Sequence, residues 1–327
     1  MTKLKKTLAA TGLLVAGLSF TSVPALAEGR VALLVGPTQD AFIGTWAQAF
    51  EKKASGNAFS VSVFSSPFDP ALQARQIDDA IGQKFDLLVI QPISQKAIVP
   101  AATRAHDANI PVVTIVSEPQ GDMVPLSASY IGENSYVLGQ QAGVAMAQAL
   151  REAGKENGKV AAITGSMAEG IAPVRMQGFT DALKDKLPDA EIVAIEDVSW
   201  NPVAGEQAAG QLLARFAAQG GIDGIYGMND TLANSAIQAA RTAGVSLGGG
   251  KGELTVVGGN CQAPGMRNLQ RGAMTATVLM LPVASAERAA DVAKAVLAGE
   301  SVDAKYYEDH KIINSENADQ YAEACSY

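Results

Sequence analysis

Short apolar runs alternate with longer amphipathic stretches from Arg30 onward. The short runs are rich in Val, Ile and Leu, whereas the longer stretches are rich in Ala and repeat apolar residues at helical spacing. This alternation predicts βαβ units whose parallel strands are buried on both faces. The predicted strands are VALLV, FSVSVF, DLLVI, PVVTIV, KVAAIT, EIVAIEDV, GIYGM, LTVVG and MTATVLM.

Several of the predicted helices have recognisable ends. Asp69 and Asn201 each precede a proline, which places a capping side chain before a residue suited to the first helical turn. Gly244 stands where a helix is expected to end. In the helix that begins near Ala41, aromatic residues recur every four positions, which predicts a stripe packed into the core. These aromatic residues are Phe42, Trp46 and Phe50.

The first 27 residues have the pattern of a secretory signal peptide. Lys3, Lys5 and Lys6 precede an apolar run at 8–20, and a small-residue pattern ends at Ala27. The pattern predicts export with cleavage after Ala27. The apolar run is too short, and too often interrupted by Gly and Ser, to favour a membrane anchor. We therefore expect the mature protein in the periplasm.

Charge and cysteine content narrow the possible functions. The first 27 residues carry three lysines and no acidic residue, so the remaining 300 residues have a formal net charge near −11. An acidic chain of this length favours two domains and disfavours a nucleic-acid partner. The chain has two cysteines, Cys261 and Cys325, and a disulfide between them is the natural use of such a pair in an oxidising compartment.

The sequence offers little catalytic chemistry. Its two histidines lie in different settings, His106 in a helical run where a surface position is expected, and His310 in YYEDHKIIN, which we interpret as one strand. Neither belongs to a metal-ligand spacing. Ser166 lacks the second glycine of a nucleophile elbow, and the segment after the first strand lacks the glycines of a dinucleotide site. We therefore predict no enzyme activity, no cofactor and no metal.

Three segments, taken together and in collinear order, resemble the ribose/galactose-type periplasmic solute-binding proteins. The resemblance extends from about Val31 to about Asp309. In the first segment a strand and loop lead to an aromatic residue at a helix start. In the second a strand ends in Gln91-Pro92, and a further strand begins with Ile-Pro-Val. The segments are VALLVGPTQDAFIGTWAQAF, QIDDAIGQKFDLLVIQPIS with AATRAHDANIPVVTIVS, and GIDGIYGMNDTLANSAIQAARTAGV followed by LTVVGGN.

The resemblance implies an α/β fold of the periplasmic binding protein-like I type. Two similar lobes, each a parallel sheet flanked by helices, would be joined by a three-segment hinge and would hold the ligand between them. The first lobe is expected to comprise 28–133 plus 281–309, and the second 134–280 plus 310–327. The crossings are expected near Glu133, Asn260 and Met280 to Leu281.

The resemblance also implies a set of ligand-binding residues. Several of them follow predicted strands, at the sheet edge where parallel α/β proteins bind ligands. Amide and carboxylate groups suit sugar hydroxyls, and aromatic rings suit sugar C–H faces. Other interpretations stay open, since Asn229 could cap the following helix and Trp200 or Phe42 could serve packing alone. The expected ligand-binding residues are Asp40, Phe42, Gln91, Ser117, Glu133, Arg175, Trp200, Asn229, Asn260 and Met280.

The chain departs from the family pattern at several of these positions. Val116-Ser117 stands where the family's sugar binders usually have an Asp-Arg pair, Asn260 replaces a usual Asp and Met280 a usual Gln. These departures indicate a less charged site and leave the ligand open between a sugar, a polyol and a less oxygenated molecule.

The function expected from the resemblance is capture of a sugar or sugar alcohol for a membrane ABC permease, by a protein that acts as a monomer. One alternative is presentation of the ligand to a membrane chemoreceptor or sensor kinase. Another is an exported enzyme on the same fold, which the missing catalytic motifs disfavour. A repressor with the same lobes would begin with a basic helix-turn-helix instead of a signal peptide.

Overall fold

The computed structural model describes residues 29–57, 59–168 and 170–327. The predicted signal peptide, residues 1–27, lies outside the described residues. Among the described residues, no helix is both long and apolar enough to cross a bilayer.

The first of two sheets contains six strands, all parallel to their neighbours. These strands are β1 (Gly29–Val35), β2 (Phe59–Ser65), β3 (Leu87–Ile90), β4 (Val112–Ile115), β5 (Ser129–Gly132) and β11 (Lys305–Tyr307). Their order across the sheet is β2-β1-β3-β4-β5-β11. The flanking helices are α1 (Ala41–Gly56), α2 (Pro70–Gly82), α3 (Val99–Asp107) and α9 (Pro282–Leu297).

The second sheet repeats this arrangement, except that its last strand is antiparallel. Its strands are β6 (Lys159–Thr164), β7 (Glu191–Asp197), β8 (Gly224–Gly227), β9 (Thr255–Val257), β10 (Ala276–Val278) and β12 (Ile312–Asn314). They are ordered β7-β6-β8-β9-β10-β12. The helices of this part are α4 (Ser135–Glu152), α5 (Ile171–Lys186), α6 (Pro202–Ala217), α7 (Asp230–Thr242), α8 (Ala263–Gln270) and the short α10 (Ala318–Tyr321).

The apolar pattern predicts the buried strands correctly. The central strands β1 and β3 are buried along almost their whole length because helices cover both faces of the sheet. All nine predicted strands are present, and the α/β fold class, with two sheets flanked by helices, is confirmed. The predicted caps are also present, since the side chains of Asp69 and Asn201 accept backbone N–H groups in the first turns of α2 and α6. The aromatic stripe of α1 lies in the core.

The interpretation of YYEDHKIIN as one strand is wrong. Its two ends form β11 and β12, which belong to different sheets, and the chain crosses between the sheets at 308–311. The polar sequence Glu-Asp-His-Lys interrupts the β pattern at this point because it is the crossing itself. The expected crossing near Asn260 is also wrong, since β9 and β10 on either side of it lie in the second sheet.

Hydrogen bonds tie the crossing at 308–311 to the two others, at 133–134 and 279–281. The Nε2 atom of His310 accepts the N–H of Asn134 at 3.0 Å, and its Nδ1 lies 3.1 Å from the carbonyl oxygen of Leu279. The imidazole is therefore neutral with its proton on Nδ1, and burial lowers its pKa. A single side chain thus links all three crossings.

Glu308 makes a second set of bonds at the same place. Its N–H donates to the carbonyl oxygen of Gly132 at 3.0 Å, and its carboxylate accepts the N–H of Leu281 at 3.2 Å. Burial of the carboxyl raises its pKa to about 7, against the opposing effect of its hydrogen bonds.

The predicted disulfide is confirmed. Cys261 and Cys325 are bonded across 64 residues of sequence with their Cα atoms 5.1 Å apart. The bond attaches the segment after β12 to the loop after β9.

Helices α4 and α5 approach closely because glycines line their contact. A Cβ atom at Gly178 would lie 2.0 Å from the carbonyl oxygen of Tyr136, and one at Gly139 would lie 1.9 Å from that of Arg175. Neither clash involves a flexible side-chain end, so the helices would have to separate.

We expect Gly178→Ala to destabilise the fold by about 1–3 kcal/mol because the added methyl group overpacks this contact. The control is Gly210→Ala in α6, where a Cβ would meet no atom within 4 Å. That control should be neutral or stabilising by up to about 1 kcal/mol, owing to the higher helix propensity of Ala. Urea unfolding of both variants measures the difference, and equal midpoints would contradict the packing argument.

The raised pKa of Glu308 leads to a pH prediction. The folded state binds a proton at Glu308 more tightly than the unfolded state does. Glu308 therefore adds to the free energy of unfolding below pH 4.5, and this added stability is lost as pH rises towards 7. Glu308→Gln should therefore gain stability relative to wild type across this window, by up to ~3 kcal/mol. Exposed Glu300, changed to Gln, provides the control, and this surface change should leave the stability within about 0.5 kcal/mol of wild type. Urea unfolding at pH 4.5, 6 and 8 tests this, and a pH-independent Glu308→Gln difference would contradict it.

Candidate functional site

A cavity lies between the carboxyl ends of the two sheets. It contains about 450 Å³ of space not filled by atoms. When the six strands of each sheet are counted in chain order, both sheets have the order 2-1-3-4-5-6. The cavity lies beyond the strands that flank the point where this order reverses. Nine of the ten expected ligand-binding residues line it. They are Asp40, Phe42, Gln91, Glu133, Arg175, Trp200, Asn229, Asn260 and Met280.

The loop after β1 and the start of α1 form one wall. The Oδ1 atom of Asp40 accepts the N–H groups of Phe42 and Ile43, each at 3.0 Å, and so caps the helix. Burial raises the pKa of the Asp40 carboxyl, while the two N–H groups act in the opposite direction. The cap fixes where Phe42 enters the cavity, and neither of its two hydrogen bonds uses the other carboxylate oxygen.

Gln91 follows β3, the neighbour of β1. Its Oε1 accepts the N–H of Gly36 at 3.0 Å, and its backbone oxygen accepts the side-chain amide of Gln73 at 2.8 Å. With the oxygen engaged, the amide nitrogen is the group that Gln91 can offer to a ligand hydroxyl. The side chain is only 7% exposed, so its direction is set by these contacts.

A buried ion pair forms the base of the cavity. Arg175 in α5 donates from one terminal nitrogen to both carboxylate oxygens of Glu133, at 2.7 and 2.6 Å. Its other terminal nitrogen donates to the carbonyl oxygen of Met228 at 2.9 Å and to Oδ1 of Asn260 at 3.2 Å. Its Nε has no protein partner within the described residues. Burial is the largest single effect and acts to lower the pKa of Arg175, but the charge of Glu133, its hydrogen bond and the nearby Tyr226 and Tyr130 together outweigh burial, so the net pKa shift is upward.

Trp200 lines the cavity from a backbone segment in the left-handed conformation. Ser199 and Trp200 both have positive φ, at 47° and 65°, just before the Asn201 cap of α6. The indole ring lies against Gly165, where a Cβ would come within 1.8 Å of the ring. The Arg175 guanidinium carbon is 5.7 Å from the ring centre. A glycine after β6 is therefore required for the ring to occupy this position.

Asn229 serves two roles. Its Oδ1 accepts the N–H of Leu232 at 2.8 Å, so the alternative interpretation as a helix cap is confirmed. The same residue also lines the cavity, with its amide nitrogen free of the cap bond. Phe42 is likewise both core and cavity wall, since it is 5% exposed and belongs to the aromatic stripe of α1.

Ser117 is the expected residue that the structure does not bring to this cavity. It lines an adjoining cavity, and its hydroxyl accepts the side-chain amide of Gln95 at 3.1 Å. The backbone turns sharply at Val116, where φ is 60°, and this turn directs Val116 to the inner cavity. Thus the apolar member of the Val116-Ser117 replacement faces the site.

Sequence reasoning missed three apolar wall residues. Ile171 precedes Arg175 by one helical turn, so a helical projection would have found it. Ile43 directly follows Phe42 at the start of α1, and helical spacing does not place consecutive residues on one face. Phe68, in the loop between β2 and α2, has positive φ and is 40% exposed. A lone Phe before a capping Asp gives no pattern from which such a position could be predicted.

The comparisons agree with this geometry. A family model described as periplasmic binding protein domain matches residues 31–301. The chain belongs to this family. It is 27% identical over 293 residues to the ribose import binding protein RbsB of Escherichia coli (strain K12), covering 89% of this chain and 93% of that protein. It is 26% identical over 266 residues to the D-allose-binding periplasmic protein of the same organism, covering 80% and 82%.

Solved structures show the same fold. A crystal structure of a galactofuranose binding protein superposes with a TM-score of 0.83 at 17% identity, covering 91% of this chain and 98% of that one. The two-lobed periplasmic binding fold expected from the sequence is therefore confirmed.

We expect Glu133→Gln to destabilise the fold by about 3–5 kcal/mol because it leaves the Arg175 charge buried without its partner. The matched control is Asp78→Asn. Asp78 makes a similar two-pronged pair with Arg104, at 2.8 Å for both contacts, but both side chains are about half exposed. The control should cost no more than ~1 kcal/mol. Urea unfolding at neutral pH tests both, and a loss below ~1 kcal/mol for Glu133→Gln would contradict the argument.

Proposed function

We propose that this protein captures a small polyhydroxylated ligand, a sugar or sugar alcohol, between its two lobes and delivers it to a membrane ABC permease. The lobes are 28–133 with 281–309, and 134–280 with 310–327. The observation that carries the proposal is that one cavity takes its walls from both sheets, with Asp40 and Gln91 from the first and Asn229 and Asn260 from the second.

The wall chemistry suits such a ligand. Aromatic rings from both sides, Phe42 and Trp200, can pack on C–H faces. Amide and carboxylate groups around them can pair with hydroxyls. The Glu133 and Arg175 charges largely satisfy each other, so the site favours a neutral molecule over a strongly charged one. The sugar-related names of relatives with 26% and 27% identity support the same ligand class.

Binding from two sides gives a mechanism for transport. A ligand that contacts residues of both lobes stabilises the closed arrangement because the open one lacks half of those contacts. The three crossings near 133, 280 and 310 would act as the hinge. We propose that the permease recognises the closed monomer, released into the periplasm after cleavage of residues 1–27.

Binding without catalysis is the role we infer for the site. Both nitrogens of His310 are engaged at the crossings, and His106 is 66% exposed on α3, so neither imidazole serves the cavity. The described residues contain no group of three or more candidate metal ligands.

The apolar wall residues Val116 and Met280 predict the ligand preference. A buried hydroxyl that faces an apolar side chain loses its partner at about 1–3 kcal/mol, which is roughly ten- to hundredfold in affinity. A linear polyol, or a sugar lacking one hydroxyl, should therefore bind more tightly than ribose or glucose. Calorimetric titration of refolded, ligand-free protein with ribitol, xylitol, a deoxyribose, ribose and glucose tests this.

The outcomes separate the ligand class from the ligand preference. Submicromolar binding of ribose or glucose would show that our interpretation of Val116 and Met280 is wrong while sugar binding stands. Failure of a wide sugar and polyol panel to shift the melting temperature would overturn the ligand class, because saturating ligand stabilises by about 2.7 kcal/mol at a hundred times its dissociation constant.

A further inference from the structure

The last residue of the sequence, Tyr327, lies behind two opposite walls of the cavity without lining it. Its ring packs edge-on against Phe42, with ring centres 6.1 Å apart and planes at 64°. Its hydroxyl donates to the carbonyl oxygen of Asn260, and its own backbone oxygen accepts the N–H of Ala263 at 2.8 Å. Phe42 belongs to the first sheet's α1 and Asn260 follows β9 of the second, so Tyr327 contacts both halves.

The bend that presents Asn260 is conformationally unfavourable. Asn260 and Cys261 are consecutive non-glycine residues with positive φ, at 78° and 58°. Such residues persist only where their surroundings hold them. Here the Cys261 N–H donates to the Thr277 hydroxyl at 3.3 Å, and the next N–H, of Gln262, donates to the Asp230 carboxylate at 2.7 Å.

The disulfide brings Tyr327 to this bend. Cys325 is bonded to Cys261, so the segment that ends in Tyr327 is attached to the residue immediately after Asn260. The Tyr327 hydroxyl then bonds the carbonyl group of Asn260 itself. The bend matters for the site because Oδ1 of Asn260 accepts a hydrogen bond from Arg175, at 3.2 Å, in the cavity base.

We propose that Tyr327 is a positioning residue for ligand binding, which rests on the function proposed above. Its hydroxyl holds Asn260 in the bent conformation, and its ring holds Phe42 at the opposite wall. The two effects are separable because they use different parts of one side chain.

Three variants separate these roles. Tyr327→Phe removes only the hydroxyl, Tyr327→Ala removes hydroxyl and ring, and Tyr321→Phe removes a hydroxyl from a tyrosine of the same segment that does not line the cavity. Hydrogen exchange of the ligand-free proteins, followed by mass spectrometry, reports on peptides covering 38–47 and 258–266. We expect Y327F to accelerate exchange in 258–266 only, Y327A in both peptides, and Y321F in neither.

Affinity gives the second measurement. With whichever of ribitol, xylitol or ribose wild type binds most tightly, we expect Y327F to weaken binding about fivefold, the value of one ordinary hydrogen bond, and Y327A to weaken it more. Y321F should bind as wild type does. Ligand-free Y327F should melt slightly below Y321F because the buried carbonyl oxygen of Asn260 loses its partner. A merely structural role for the hydroxyl would give that loss of stability without the loss of affinity.

Unchanged exchange in 258–266 for Y327F, or equal effects of Y327F and Y321F, would overturn the proposal. The conservative Y327F variant keeps the test valid if Y327A fails to fold. If wild type binds none of the three probes, the proposed function fails for these compounds. The exchange experiment still decides whether Tyr327 positions the two walls, because it uses ligand-free protein.

Discussion

The ion pair between Glu133 and Arg175 is the interaction on which the site depends. Glu133 lies at the first crossing between the sheets, and Arg175 lies on a helix of the second sheet. Both side chains are almost fully excluded from water, so each requires the other, because an unpaired charge in such surroundings is strongly destabilising. The pair also orients Asn260 and lies near the Trp200 ring. The pair thus connects the hinge, the cavity base and one aromatic wall.

Repetition of one topology explains why a cleft exists at all. Each sheet, taken alone, has a crevice beyond the strands where its order reverses. The three crossings place the two crevices against each other, so that side chains from the loops after β1, β3 and β8 meet in one space. The cavity is therefore a property of how the chain passes between sheets rather than of any single loop.

The sequence was informative where local rules govern the structure. Buried parallel strands are continuous apolar runs, and caps such as Asp69 need only their own helix, so both could be predicted. Nine of the ten expected residues line the cavity because the family resemblance, whose motifs are collinear with this chain, placed them there. Ser117 did not, since the direction of a side chain after β4 depends on the left-handed turn at Val116, which no local pattern specifies. The sequence prediction treated β11 and β12 as one strand because local sequence patterns do not show where the chain passes from one sheet to the other.

The contact between Gly165 and Trp200 limits how this binding site can diverge. The ring occupies the volume that any side chain at 165 would need, and it is held there by two successive left-handed residues. A substitution at position 165 or at position 200 therefore requires a compensating change at the other position. A change of ligand that requires a smaller group at 200 opens a hole beside the strand end, whereas a larger residue at 165 expels the ring. Descendants of this sequence can more easily alter specificity at Met280, which is not among the nearest atoms that an added Cβ would meet at any glycine of the described residues.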